Sequence, residues 1–343
     1  MTHPQKREEK RLLLRIGENA RMRGKLQLTT LILRLMHKVK ITVIGTINKD
    51  TIIFPDGRRT KSFGGILYNL SALSGLGGKW LEIYPVCNLG YDVYDEVEKI
   101  LKKYDNVKLD GINRVKDKNN HAFLFLDEDN QRKEILQNKV PPLSFNQIEP
   151  FLDSNMILVN FISGFDIGLD DLKRMRKKTD AVIFMDVHSL TLGIDKDGKR
   201  FYETPENWQE YIKQADLVQT NLMELNVLSG KDLKSLKQIR ELGNNVLSSG
   251  PSVLLVTLGE DGAVMIYRED GINKFKKRKG IKIREFKDAT GCGDVFSAGF
   301  LVCYGHTGDI ILSLDFANQV AAEKCKISGV EDVARLLEKF TLI

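Results

Sequence analysis

Residues 156–185, MILVNFISGFDIGLDDLKRMRKKTDAVIFM, contain one complete unit of an alternating fold. Met156 to Ile162 is apolar on both faces, Leu169 to Lys178 carries apolar side chains at helical spacing, and Ala181 to Met185 is a second apolar run. A strand without a polar face has to be covered on both sides, a condition met by parallel strands lying between two helix layers. The amphipathic stretch between the two runs supplies the crossover that parallel pairing requires.

The same rhythm extends in both directions. Ile41 to Ile44, within a first strand from Lys40 to Ile47, and Val253 to Leu258 are further apolar runs, while Tyr94 to Tyr104 and Leu233 to Leu247 are further amphipathic stretches. The predicted fold is α/β, a doubly wound, mostly parallel sheet flanked by helices. Two segments depart from it. Thr51 to Ser62 and Ala122 to Leu136 alternate polar and apolar residues around turn residues, Asp56-Gly57 in one and Asp127 to Asn130 in the other. Each reads as a hairpin, and together they predict a small β-sheet lid built from segments of about 48–63 and 120–137. With an exposed edge and an apolar face, that sheet would suit a homodimer clasp.

Composition narrows the function classes. A chain of 343 residues with 42% hydrophobic and 29% charged residues has ample material for a core. Its net charge of +6 is concentrated at the start: Met1 to Lys40 hold eleven Lys or Arg against three Glu, a balance of +8 that leaves −2 for the remainder. The body is therefore not a basic nucleic-acid surface, and the expected organisation is a basic extension over 1–39 followed by one α/β domain over 40–343. Glu8, Glu9 and Glu18 are unwelcome in a transit peptide, so a non-essential extension is the favoured reading of this start. No apolar run is long enough for a membrane span. Cys87, Cys292, Cys303 and Cys325 form no C-x-x-C pair and read as free thiols, which suits the cytoplasm.

The sharpest chemical feature is Lys287-Asp288-Ala289-Thr290-Gly291-Cys292-Gly293-Asp294, which opens the apolar helical pattern Val295 to Phe300. A Gly-x-Gly turn at a helix start leaves N–H groups without intrahelical partners, and glycine lets an anion approach them closely. A carboxylate at the end of such a loop would repel a phosphate, so Asp294 makes sense as a base that accepts a hydroxyl proton during phosphoryl transfer. An acidic residue in a helix first turn is also an ordinary feature.

This segment closely resembles the C-terminal signature of the ribokinase-like (PfkB) sugar and nucleoside kinases. The resemblance implies a ribokinase-like fold and an ATP-dependent transfer of the γ-phosphate to a hydroxyl of a sugar, nucleoside or related polyol. In it Asp294 would be the base, and Gly291, Cys292 and Gly293 the anion hole; Asp288 would lie near a monovalent cation, often potassium. Other motifs follow in the family's order. Asn221-Leu222-Met223-Glu224 is similar to the N-x-x-E that helps to place Mg²⁺ and phosphate, with Glu224 acting through water, although in isolation it is a common capping box. Thr257, Gly259 and Gly262 resemble the T-x-G-x-x-G nucleotide loop, and Asn318 falls on a stretch like the adenine-side helix. Asn48 and Asp50 at the end of the first strand, with Gly64, Gly65 and Asn69, resemble the residues that receive the polyol.

Two departures mark the pocket. Leu67 and Tyr68 stand where the family has a smaller stretch, and Met185-Asp186-Val187-His188-Ser189 keeps only the Asp of a frequent D-x-N-x-R. Both should reshape acceptor binding. The competing reading is a non-catalytic sugar or nucleotide sensor of the same fold.

Overall fold

The computed structural model describes residues 38–126 and 132–341, so the basic extension up to residue 37 and the Asp127 to Asn130 turn lie outside the described residues. The strands are β1 (Val39–Ile44), β2 (Lys49–Ile53), β3 (Arg59–Phe63), β4 (Leu81–Gly90), β5 (Ile112–Val115), β6 (His121–Leu126), β7 (Arg132–Gln137), β8 (Met156–Asn160), β9 (Val182–Asp186), β10 (Leu192–Ile194), β11 (Arg200–Tyr202), β12 (Leu217–Asn221), β13 (Val253–Thr257), β14 (Ala263–Glu269) and β15 (Ile272–Arg278). Nine of them form the main sheet in the order β15-β14-β13-β12-β9-β8-β1-β4-β5. Pairing is parallel from β13 to β5, and β14 and β15 add an antiparallel edge.

Side chains of successive strand residues enter opposite layers, as the period of two demands. Met156 and Leu158 of β8 join a core with the helices Ile66–Gly77, Cys292–Thr307 and Ile310–Lys324, whereas Ile157 and Val159 join the core on the other face. Val253 and Leu255 divide from Leu254 and Val256 in the same way. Strand order reverses at β1, which lies between β4 and β8. The carboxyl ends at such a switch point are where an open α/β sheet leaves a crevice for ligands.

The first strand ends at Ile44, earlier than expected from sequence. Beyond it the backbone pairs elsewhere: Ile66 donates its N–H to Thr46 O (3.0 Å) and Gly64 donates to Asn48 O (2.9 Å). A β-carbon on Gly45 would collide with Ile66 and with the Asn160 carbonyl, so the chain can leave the sheet here only through glycine. The expected Leu233 start of a helix moves to Leu236 because Ser235 caps it, accepting the Gln238 N–H at 3.3 Å.

The small sheet has the order β3-β2-β6-β7, two hairpins joined by the parallel pair β2–β6. Asp56 Oδ1 accepts the Arg58 N–H (2.9 Å) and Gly57 takes a positive φ of 80°, the expected turn chemistry. Its apolar residues Ala122, Leu124 and Leu136 are buried with Ile52, Phe165 and Ile194 of the same chain. Part of that apolar face is thus packed against the chain's own Phe165 and Ile194. No helix among the described residues is long and apolar enough to cross a membrane.

Candidate active site

A cleft of about 260 Å³ opens at the carboxyl ends of the parallel strands beneath the small sheet. Asn48 and Asp50 come from β2 and the segment before it, Ala122 and Leu124 from β6, Asp186 from the end of β9, Asn221 from the end of β12, Glu224 from the first turn of the helix Leu222–Ser229, and Thr257 from the end of β13. Ala289, Thr290, Gly291, Gly293 and Asp294 form a further part of the wall. The sheet end and the lid therefore bring together residues far apart in sequence.

Helix Cys292–Thr307 starts at this wall, with Gly291 in a left-handed conformation (φ 78°) as its N-cap. The Cys292 N–H is engaged with the Ala289 carbonyl (3.1 Å), which closes the turn. A β-carbon on Gly293 would meet only Gln219 Nε2, at 3.8 Å, so this position faces open cleft space. The geometry and dipole of such a helix start suit an anion.

Asp294 follows at once and is 94% buried, with 6% of its surface exposed. Asn160 Nδ2 donates to its Oδ1 at 2.7 Å and also to Asn69 Oδ1 at 3.0 Å. Asn69 Nδ2 in turn donates to the Asp294 carbonyl (2.9 Å) and to Ser297 Oγ (3.0 Å). The carboxylate is held by a chain of amides, with its rotamer fixed from behind. Burial pushes its pKa up to about 7, against the Asn160 hydrogen bond and the positive charge of Lys324, which lower it. That value suits a base working at neutral pH.

Two more carboxylates share the cleft. Glu224 accepts from Asn221 N–H (2.8 Å) and Asn221 Nδ2 (2.6 Å), while Asn221 Oδ1 accepts the Glu224 N–H (2.8 Å). The capping box and the cleft wall are thus the same residues. Burial, and after it the charge of Asp294, raise Glu224 to about 8, partly offset by the Asn221 N–H. Asp186 is pushed well above the usual carboxylate range by burial first, then by Glu224 and Asp294; Gln219 Nε2 donates to it at 2.7 Å and to the Gly293 carbonyl at 3.0 Å.

These shifts give a stability prediction. The folded-state pKa values of Asp294 and Glu224 exceed their unfolded values, so the native protein binds more protons between about pH 4 and pH 8, and stability falls as pH rises through that window. Glu224→Gln should therefore flatten the decline in melting temperature of the ligand-free protein between about pH 5.5 and pH 8.5. A decline as steep as in the parent would mean that the buried acids do not carry it.

The other residues singled out from sequence fall in different places. A side chain on Gly64 would displace the Asp50 carboxylate, and Gly65 turns at φ 65° against the Thr46 carbonyl. Asn69 is fully buried, its amide engaged with Asp294, Ser297 and Asn160. Cys292 also turns away, its Sγ 3.1 Å from Cys325 Sγ. Leu67 points into the core, and only Tyr68 of that pair reaches the cleft. Gly259, Gly262 and Asn318 lie outside the wall; Asn318 Nδ2 donates to the Lys279 carbonyl (2.9 Å) just after β15. Asn160 and Gln219 escaped the sequence reading because one ends an apolar run and the other lies inside one; a lone buried amide in such a run is the signal that was there to use.

Among the described residues no group of three or more acidic, histidine or cysteine side chains converges closely enough to ligate a metal. Glu224 and Asp294 nonetheless raise the Asp186 pKa, and Asp294 raises that of Glu224, a concentration of negative charge that a cation would relieve. Mg²⁺, which keeps several waters and takes ligands from phosphate, fits this donor set. The Asp288 side of the turn differs: the fully buried Lys324 ammonium already stands 3.8 Å from Asp288 Oδ2.

The pfkB family carbohydrate kinase model matches residues 38–335. The chain is 24% identical to the cytidine kinase of Thermococcus kodakarensis over 308 residues, covering 88% of this chain and 96% of that protein. It is 23% identical to the ribokinase of Arabidopsis thaliana over 286 residues, 78% of this chain and 70% of the relative. Among solved structures, the Arabidopsis ribokinase complexed with ribose and ATP superposes with a TM-score of 0.68 at 21% identity, covering 88% of this chain and 99% of that one. The Thermotoga maritima ribokinase gives 0.70 at 20% identity, with the same coverage. A matched model spanning nearly all the described residues, on a ribokinase fold, makes this chain a member of the pfkB family of carbohydrate kinases.

Proposed function

We propose that this enzyme transfers the γ-phosphoryl group of ATP to a hydroxyl of a sugar, nucleoside or related polyol, with Asp294 as the general base. The observation that carries the reading is the placement of one buried carboxylate, held at 2.7 Å by Asn160, next to a helix N-terminus whose Gly293 faces open space. Asp50 and Asn48 receive the acceptor, since a carboxylate and an amide suit a vicinal diol. The hydroxyl to be phosphorylated lies between Asp50 and Asp294, and Asp294 takes its proton as the new O–P bond forms. The Gly291 and Gly293 amides face the transferring phosphate, while the aliphatic Ile162, Ala122 and Leu124 exclude water from that point. When bound, Mg²⁺ supplies charge neutralisation for the nucleotide phosphates, and Glu224 with Asn221 would hold it through water. Thr257, Gly259, Gly262 and Asn318 flank the nucleotide side.

A coupled ADP-release assay across pentoses, hexoses and nucleosides tests this. At least one acceptor should stimulate ADP release well above the ATPase background; binding of an acceptor without any stimulation would favour a sensor instead. With the best acceptor, Asp50→Ala should raise its KM and lower turnover while ATP affinity stays near that of the parent. Hydrogen bonds to a charged group contribute about 1.5–3 kcal/mol each, equivalent to a loss of roughly 10- to 100-fold in kcat/KM. A fall in ATP affinity would exchange the two ends of the cleft.

A further inference from the structure

Lys324 carries an ammonium group with no exposed surface, at the last residue of helix Ile310–Lys324. Its Nζ donates to the Ile327 carbonyl (3.2 Å), stands 3.8 Å from Asp288 Oδ2 and lies 5.5 Å from the centre of the Tyr68 ring. Removing an ammonium from water is costly unless oxygen atoms replace its hydration. Carboxylate, carbonyl and ring face together are surroundings that fit any monovalent cation.

The location gives this group a task. Asp288 Oδ1 accepts the Thr290 N–H (2.8 Å), and the Lys287 and Asp288 N–H groups both donate to the Cys325 carbonyl (2.8 and 3.4 Å). Segment 324–327 is thereby tied to segment 287–290, which runs directly into Gly291 and Gly293. Tyr68 joins the two as well, since its ring faces Lys324 and a side chain on Gly291 would collide with it. Lys324 neutralises the carboxylate that shapes the anion turn without itself lining the cleft.

The resemblance noted from sequence implies a monovalent cation beside Asp288. The residues present do not fit one, because an ion in contact with Asp288 Oδ2 and the Ile327 carbonyl would stand against the ammonium already there. Two like charges a few ångströms apart in a buried place repel strongly. We propose that Lys324 is a positioning residue, a covalently attached monovalent cation that holds the Asp288 to Gly293 turn in shape and makes turnover independent of added potassium. The kinetic part rests on the phosphoryl-transfer reading above; the thermal part does not.

The test compares the full-length parent with Lys324→Ala in KCl and in tetramethylammonium chloride at one ionic strength, measuring melting temperature and acceptor-dependent ADP release. The parent should give the same melting temperature and the same turnover, within about twofold, in both salts. Lys324→Ala should lose about tenfold or more of kcat in tetramethylammonium, as a misplaced anion turn would, and KCl or ammonium chloride should restore part of that loss and raise its melting temperature. Lys324→Gln, which can still donate to the Ile327 carbonyl, provides the same comparison should the alanine variant fail to fold. A parent activated or thermally stabilised by potassium overturns the proposal, and so does a neutral variant as active as the parent in tetramethylammonium. If no acceptor is turned over, the phosphoryl-transfer reading fails by itself, and the melting temperatures still decide the role of Lys324.

Discussion

Asp294→Asn should retain the fold and bind ATP with magnesium, yet turn over about 10²- to 10⁴-fold more slowly than the parent, the usual contribution of a general base. Asparagine matches the shape of the carboxylate, and its carbonyl oxygen can still accept from Asn160 Nδ2, so the amide chain through Asn69 and Ser297 persists. It cannot take a proton. The loose transition state of phosphoryl transfer limits the expected loss, because proton removal is only part of the barrier. Removing a charge also relieves Glu224 and Asp186, whose pKa values Asp294 raises, and a γ-phosphate would meet less repulsion. Calorimetry should therefore find ATP affinity equal or tighter, while the ADP-release rate collapses. A variant that turns over at the parental rate would remove Asp294 from the chemistry.

Gly293→Ala should give the opposite separation. Its methyl group would enter open space, with Gln219 Nε2 at 3.8 Å as its nearest neighbour, so folding should be undisturbed. The same methyl would stand where a phosphate has to approach the backbone, and loss of one such donor contact commonly costs about 10²- to 10³-fold. The expected result is a fall of that order in kcat/KM for ATP with little change in melting temperature. Gly291→Ala provides the contrast: at φ 78° and against the Tyr68 ring it should lower the melting temperature itself. Unchanged ATP kinetics in Gly293→Ala would show that phosphate binds elsewhere.

The fold was legible because apolar runs such as Met156 to Asn160 and Val253 to Thr257 have no polar face, and only a covered parallel sheet accommodates them. The turn that opens helix Cys292–Thr307 was legible too, since Gly291, Gly293 and Asp294 fall within four consecutive residues. What convergence in space creates was not. Asp186, Glu224 and Asp294 meet only because β9 ends, and helices Leu222–Ser229 and Cys292–Thr307 start, at one cleft, and the effect of Asp294 on the pKa of the other two has no sequence pattern. The depth of Asn69 was not legible either; the structure buries it, with its amide donating to the Asp294 carbonyl. Nothing in the sequence distinguishes Lys324 from the other lysines; its ion pair with Asp288 does.

The pH dependence of acceptor turnover tests the role of Asp294 most directly. With burial raising the Asp294 pKa to about 7, the base is half protonated near neutrality, so kcat/KM should climb with pH through a single ionisation near that value and level off above it. The residual activity of Asp294→Asn should lack this limb. A parental profile that stays flat from about pH 5.5 to pH 8.5, or a variant that keeps the same rising limb, would contradict the assignment of Asp294 as the base.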